Sequence, residues 1–277
     1  MTIWLLLTYL AVAIVLQWAV GSIDVRLFAF PVGTAVGVAF VALLYVVENE
    51  WGESKWVKCL RSTDMAFGTL ALTALGCIVG GSLPSDAAFQ TSVPFVALLV
   101  ALMVNLTLTL FHRLHTFKTK KHWTFIAIHG GLWLALFSGL VSAGDTEELN
   151  ALVGNKEETS TAYDKAFRQT SLPYSLRLKD FKIETNAADG SPTQYSAQVL
   201  VDGKLVEIAV NRPYAVSPTE DIYLMNFDST GENGKVDLCV LMIERQPWKY
   251  PMLAGICLLL MGTAIWCINI NKRTDRQ

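Results

Sequence analysis

FHRLHTFKTKKHWTFIAIHGGLWLALFSGLVSAGD, residues Phe111 to Asp145, runs through three segments in order. A short basic loop carries Arg113, Lys118, Lys120 and Lys121. An apolar stretch of about 20 residues follows, long enough for a helix to cross a hydrocarbon core of roughly 30 Å. The chain then turns polar and acidic at Gly144 and Asp145. One ionisable side chain, His129, stands inside the apolar stretch near its basic end. An ionisable group at that depth is costly and marks a functional site by default.

The rest of the chain fits this reading. Of its 277 residues 52% are hydrophobic and 17% charged, which points to a polytopic α-helical membrane protein rather than a soluble domain. Six spans are predicted: Ile3–Val20, Leu27–Val47, Ala66–Leu83, Val93–Phe111, Thr124–Ala143 and Tyr250–Ile270. Charge is uneven. Residues 144–247 hold 17 acidic and 10 basic side chains, against 7 and 12 elsewhere, so one acidic extramembrane domain sits between the fifth and sixth spans. Lysines and arginines gather in the 48–65 loop, in the loop after Phe111 and at Lys272, Arg273 and Arg276. By the positive-inside rule both termini are cytoplasmic and residues 144–248 lie outside. No removable signal peptide is evident, because the first residues lack positive charge. The expected organisation is two N-terminal spans (1–47), a cytoplasmic loop (48–65), a three-span core (66–143), an outer mostly-β domain (144–248), and a last span with a tail (249–277).

Within the outer domain Thr146–Gln169 reads as a polar helix, and β signals follow. Leu176–Ile183, Tyr195–Val201, Leu205–Val210, Ile222–Phe227 and Val236–Ile243 alternate as strands do. Asp202-Gly203 between two of them is a hairpin signal, Gly231–Gly234 is a second turn, and Pro213 and Pro218 bracket a loop. This domain contains no histidine, no GxSxG, no HExxH and no phosphate-binding loop, so histidine-based triads and most zinc hydrolase schemes are excluded from it. Cys59, Cys77, Cys239, Cys257 and Cys267 form no CxxC, which argues against a disulfide framework or a thiol oxidoreductase.

His129 is the main candidate for chemistry. Neutral imidazole is a good ligand for iron, zinc or copper, and the usual proximal ligand of haem. Gly130 and Gly131 leave room for a flat macrocycle or a neighbouring helix, and Trp133 is placed to pack against a ring. Gly131, Ala135, Gly139 and Ala143 form a small-residue row of the kind used in helix packing. The bland alternative is a histidine that only bonds a neighbouring helix. His112, His115 and His122 resemble a metal cluster, but no acidic or thiol ligand stands at matching spacing. Arg113, Lys118, Lys120 and Lys121 serve topology and anionic lipid, or attract an anionic ligand such as the propionates of haem. Trp51 and Trp56 read as interfacial anchors.

From Leu60 to Ile270 the chain resembles the ResB/CcsB family of cytochrome c biogenesis (system II, the Ccs pathway). The residues that carry the likeness, in order, are Leu60-Arg-Ser62, Gly80-Gly81 with Pro84, Ser92-Val-Pro-Phe95, Asn105-Leu106 and His129-Gly-Gly-Leu-Trp133. Leu172–Ile183, Val210–Tyr214 and Arg245-Gln-Pro-Trp248, with Gly255 and Gly262 in the last span, complete it. The resemblance implies a membrane subunit of the bacterial inner membrane that works with a CcsA-type partner. Together they would bring haem b, bound transiently, to the outer face for attachment to CxxCH motifs of apocytochrome c. His129 matches the family's axial ligand. Such a subunit is non-catalytic or co-catalytic, and no nucleic-acid partner is expected. Two features depart from the family: five spans precede the outer domain instead of three, and that domain is short. The rival expectation is a scaffold or sensor anchored by its spans. A small-molecule transporter fits less well, since no inverted repeat is visible.

Overall fold

The computed structural model describes residues 2–83, 89–115, 122–228 and 236–274. Lys118, Lys120, Lys121 and the Gly231–Gly234 turn lie outside the described residues. The chain forms two units, a helical one from residues 1–144 and 248–277, and a β unit from 145–247.

The helical unit contains α1 (Thr2–Val20), α2 (Val32–Trp51), α3 (Lys55–Leu60), α4 (Thr63–Ser82), α5 (Val93–His115), α6 (His122–Ser142) and α7 (Lys249–Thr274). All except the six-residue α3 are long and apolar enough to cross a membrane. The second span starts five residues later than the hydrophobic pattern predicts. Asp24 caps a 3-10 turn at Val25–Phe28, accepting from the Arg26 N–H at 3.0 Å. Pro31, with no N–H to give, stands at the helix boundary. The expected loop at 48–65 is largely helical. α2 runs on to Trp51, Ser54 caps α3 at the Val57 N–H, and Ser62 caps α4 at the Met65 N–H. A cytoplasmic-loop reading based on charge overlooked these two serine caps.

α5 is the most buried of the spans, with Leu102, Met103, Asn105, Leu106, Thr107 and Leu108 all buried. Its polar residues tie it to its neighbours. The Asn105 amide donates to Leu60 O at 2.7 Å and to Ser62 O at 3.1 Å, satisfying carbonyls at the α3–α4 corner. At the other end Gln17 of α1 accepts from the Val93 N–H at 2.7 Å, one of the donors a helix start leaves open.

α6 and α7 pack with their backbones in contact. A Cβ built on Gly131 would lie 2.5 Å from Leu259 N and 2.7 Å from Gly255 O. One on Gly255 would lie 2.6 Å from Ala135 N, and one on Gly262 would lie 2.9 Å from Ile128 N. The small residues at 131 and 135 therefore serve helix association, which in lipid depends on close packing. Gly139 has no atom within 4 Å of a built Cβ and does not share that interface.

The β unit is an eight-stranded antiparallel sheet: β1 (Glu147–Gly154), β2 (Thr159–Tyr163), β3 (Gln169–Thr185), β4 (Pro192–Val201), β5 (Lys204–Ala209), β6 (Tyr214–Ser217), β7 (Glu220–Asp228) and β8 (Leu238–Arg245). The spatial order is β5-β4-β3-β2-β1-β8-β7-β6. Alternating residues such as Leu149, Ala151, Val153, Leu176, Leu178 and Ile243 fill one core. The sheet curls on itself, so that Val206 and Ile208 of β5 share that core with Ile222 of β7. Bulges in β3 and β7 help it bend.

The helix expected at Thr146–Gln169 is instead β1 and β2. Leu149, Ala151 and Val153 alternate inward, and β1 pairs with β8 from Glu147↔Arg245 to Gly154↔Leu238. Its charges mask a period-two pattern that only long-range pairing makes decisive. The loop between the two prolines holds the short β6. Asp202 and Gly203 make the β4–β5 turn with φ of 49° and 78°, both positive as a type I′ hairpin requires.

Candidate functional site

The site is built on the first turns of α6. His129 Nδ1 lies 2.9 Å from the carbonyl of Phe125, one turn back on the same helix. A carbonyl only accepts, so Nδ1 carries the proton, and in the neutral ring the lone pair is on Nε2. The imidazole stacks on the Phe125 ring with centroids 3.8 Å apart and 19° between planes. The Arg113 guanidinium covers the same phenyl group at 5.1 Å. The ring is thus oriented by contacts local to the start of α6 and the end of α5. No bond to a neighbouring helix is needed to hold it.

His129 forms part of the wall of a cavity of about 800 Å³ between α4, α5 and α6. Arg61, Ser62, Thr63, Thr109, His112 and Arg113 line the end where α4 begins and α5 finishes. Further along the same helices the lining is Ala66, Phe67, Leu70, Leu102, Leu106 and Leu132. No carboxylate lines this cavity among the described residues. The space is amphipathic: basic and polar at one end, carbon at the other, with a nitrogen donor between. A planar, largely apolar ligand that carries negative charge at one edge and accepts a nitrogen ligand fits this chemistry.

Gly130 has open space around a built Cβ and does not line the cavity. Trp133 is committed elsewhere. Its Nε1–H donates to Thr107 Oγ1 of α5 at 2.8 Å, and its ring stacks on Phe137 at 4.8 Å. Of the three residues singled out on this helix, only His129 lines the space. His112 does so too, with Nδ1 3.0 Å from Glu48 Oε1, while His115 stacks on Tyr45. The His122 side chain lies outside the described residues. Among those residues no three potential ligands gather as a metal cluster.

Sequence reasoning missed Glu48, Arg61 and Phe125. Arg61 had counted toward topology and the family resemblance but not toward a site, and Glu48 lay unremarked in the 48–65 loop. Glu48 in fact sits on α2 with its side chain 4% exposed, paired to Arg61. The signal available was an acid within reach of an otherwise apolar run.

A second cavity, about 660 Å³, lies further along the same three helices and against α2. Phe40, Gly76, Phe95, Leu99, Met103 and Leu140 typify its lining, which is almost wholly carbon.

In the β unit Tyr174 donates to Glu220 Oε1 at 2.5 Å, and Arg245 bridges Glu220 Oε2 at 2.6 Å and Glu147 Oε2 at 2.9 Å. Burial first, then the Glu220 carboxylate, pushes the Tyr174 hydroxyl well above its ordinary range. Burial raises the Cys239 thiol to about 12, which makes it a packing residue rather than a nucleophile.

Comparison with known proteins gives a family match. Residues 119–255 match the ResB-like family. No curated protein matches the chain. Among solved structures, one titled Cytochrome c Heme Lyase CcmF aligns with 72% of this chain at 13% identity and a TM-score of 0.38. The aligned part is 33% of that structure's chain, so this chain spans about a third of its length.

Proposed function

The chain belongs to the ResB-like family over residues 119–255, which places it in cytochrome c biogenesis, and from that premise we propose that it is the haem-delivering subunit of a membrane cytochrome c synthase. The observation that carries the proposal is the His129 imidazole. Its Nδ1–H is held by the Phe125 carbonyl, and the residue lines an amphipathic cavity with a basic end. Metal-bound histidines commonly donate their other ring N–H to a backbone carbonyl, which fixes tautomer and orientation.

The cargo is haem, whose iron accepts an axial imidazole nitrogen. His129 supplies that nitrogen. Phe125 stacks beneath the ring and Arg113 caps the phenyl group, so the donor does not swing. The leucines and Phe67 present hydrocarbon to the macrocycle at the apolar end. The rigid α6–α7 pair anchors the donor helix.

In this reading a CcsA-type membrane partner supplies the second ligand and the outer site, and apocytochrome c with CxxCH motifs receives the haem. The protein resides in a bacterial inner membrane. The lysine and arginine pattern supports cytoplasmic termini and an outer β unit that holds the partner or the apocytochrome.

The test is spectroscopic. The full chain, alone and with its partner, is purified with wild-type and His129→Ala sequences, and haem content and axial-ligand bands are recorded. The variant is expected to lose the low-spin histidine bands and to regain a ligand field when free imidazole is added. Haem loading and spectra that do not change in His129→Ala would overturn the proposal.

A further inference from the structure

We propose that α2 completes the ligand site from behind its wall: the buried Glu48 pins Arg61 as the receiver of the ligand's carboxylates. This inference rests on the haem reading and names the residue that selects for the acid groups of the porphyrin. Arg61 and Glu48 both fall outside the family match.

Arg61 stands at the corner between α3 and α4, on the wall of the His129 cavity, and its side chain is 12% exposed. A guanidinium so enclosed is costly unless paired. Its pair is Glu48, at 4% exposure, which does not line the cavity. The Oε1 of Glu48 takes both the Arg61 Nη1–H and the His112 Nδ1 contact. One carboxylate oxygen thereby fixes two cavity-lining groups from the far side. Its other oxygen, Oε2, is buried without a hydrogen-bond partner. Leu44, Val57 and Leu108 close over this end of α2, α3 and α5.

Glu48 uses one of the five N–H donors of the guanidinium. The cavity wall therefore keeps a held cation with donors to spare, a second arginine at 113, and no acid among the described residues. A pair that served packing alone would gain little over apolar side chains of the same size. A held guanidinium facing a ligand space suits a carboxylate, which it binds with fork geometry. The second of the two N-terminal spans, extra by comparison with the family pattern, thus has a role in the ligand site itself.

The experiment compares iron protoporphyrin IX with its dimethyl ester, which keeps the iron but loses both charges. Each is titrated into the full chain in nanodiscs, and binding is read from the His129-dependent absorption change. Wild type is expected to bind the free acid roughly 10- to 100-fold tighter, the range of a charge-assisted hydrogen bond. Arg61→Gln should bring the free acid to the ester's affinity while the axial-ligand bands of both complexes persist. Arg61→Lys should retain a few-fold preference, and Glu48→Gln should reduce it severalfold. Equal affinities in wild type, or a full preference that survives Arg61→Gln, would overturn the assignment; the wild-type comparison decides even where a variant does not fold. Failure of the haem reading looks different: binding of both ligands is then insensitive to His129→Ala, or neither binds, and this inference falls with it.

Discussion

Gly131 offers the sharpest test of the packing that holds α6. Replacing it with alanine puts a methyl group 2.5 Å from Leu259 N, 2.7 Å from Gly255 O and 3.0 Å from Leu259 Cα. All three are backbone atoms, so no side chain can turn aside. Ordinary contact begins at 3.4 Å, and α6 and α7 must part by about 1 Å to reach it. Overpacking of this kind costs about 1–3 kcal/mol. Gly130 is the control, because a Cβ there meets nothing within 4 Å. Gly130→Ala should stabilise the helix by about 0.5–1 kcal/mol through lost unfolded-state freedom. The two neighbouring substitutions should therefore differ by about 1.5–4 kcal/mol. Steric-trapping or detergent-unfolding measurements on the full chain in bicelles can resolve that gap. If Gly131→Ala is as stable as Gly130→Ala, the close approach of α6 and α7 is wrong.

Other consequences are open to direct measurement. Tyr174 has its folded-state pKa raised above the ordinary 10.0, so its contribution is intact below pH 10.0 and is lost as pH rises further. Hydrogen exchange in β3 and β7 should accelerate above that pH in wild type and less steeply in Tyr174→Phe; identical profiles would refute the link. Cys239, buried with a thiol pKa of about 12, should resist iodoacetamide at pH 8 until the β unit unfolds, and prompt labelling of the folded chain would contradict its placement. Gly203→Val should destabilise the β4–β5 hairpin by about 1–2 kcal/mol, since φ there is 78°. Wild-type exchange rates in that hairpin would count against the turn. Asn105→Leu leaves Leu60 O and Ser62 O without their donor and should cost about 1–3 kcal/mol of bundle stability, read by the same unfolding assay.

Much of this molecule was legible one residue at a time. The spans follow from runs of apolar residues that lipid demands, and the six helices fall close to them. His129 stood out because it is the lone ionisable group in its span, and its bond to Phe125 is a one-turn contact that sequence spacing allows. The Asp202-Gly203 turn was legible because positive φ at both positions restricts residue choice. What escaped depends on distance. β1 looked helical because its charges are local, whereas its pairing partner, β8, is about ninety residues away. The cavity needs three helices at once, and no spacing rule brings Arg61 and His112 beside His129. Trp133 illustrates the limit of helical-face arguments. One turn after His129, it has rotated far enough to meet Thr107 on α5 instead of lining the His129 cavity.

The second, carbon-lined cavity bears on ion leakage. Walls of this kind give water few hydrogen-bond partners. Arg61 and His112 line the first cavity, whereas Leu99, Met103 and Leu140 give the second a wall of carbon, so among the described residues a file of water entering beside the charges would find few polar partners further along the helices. Protons cannot hop where no such file exists. On the haem reading proposed above, such a carbon-lined stretch would let a chain take a bulky charged cargo at one end and still insulate, leaving the voltage across its membrane undiminished.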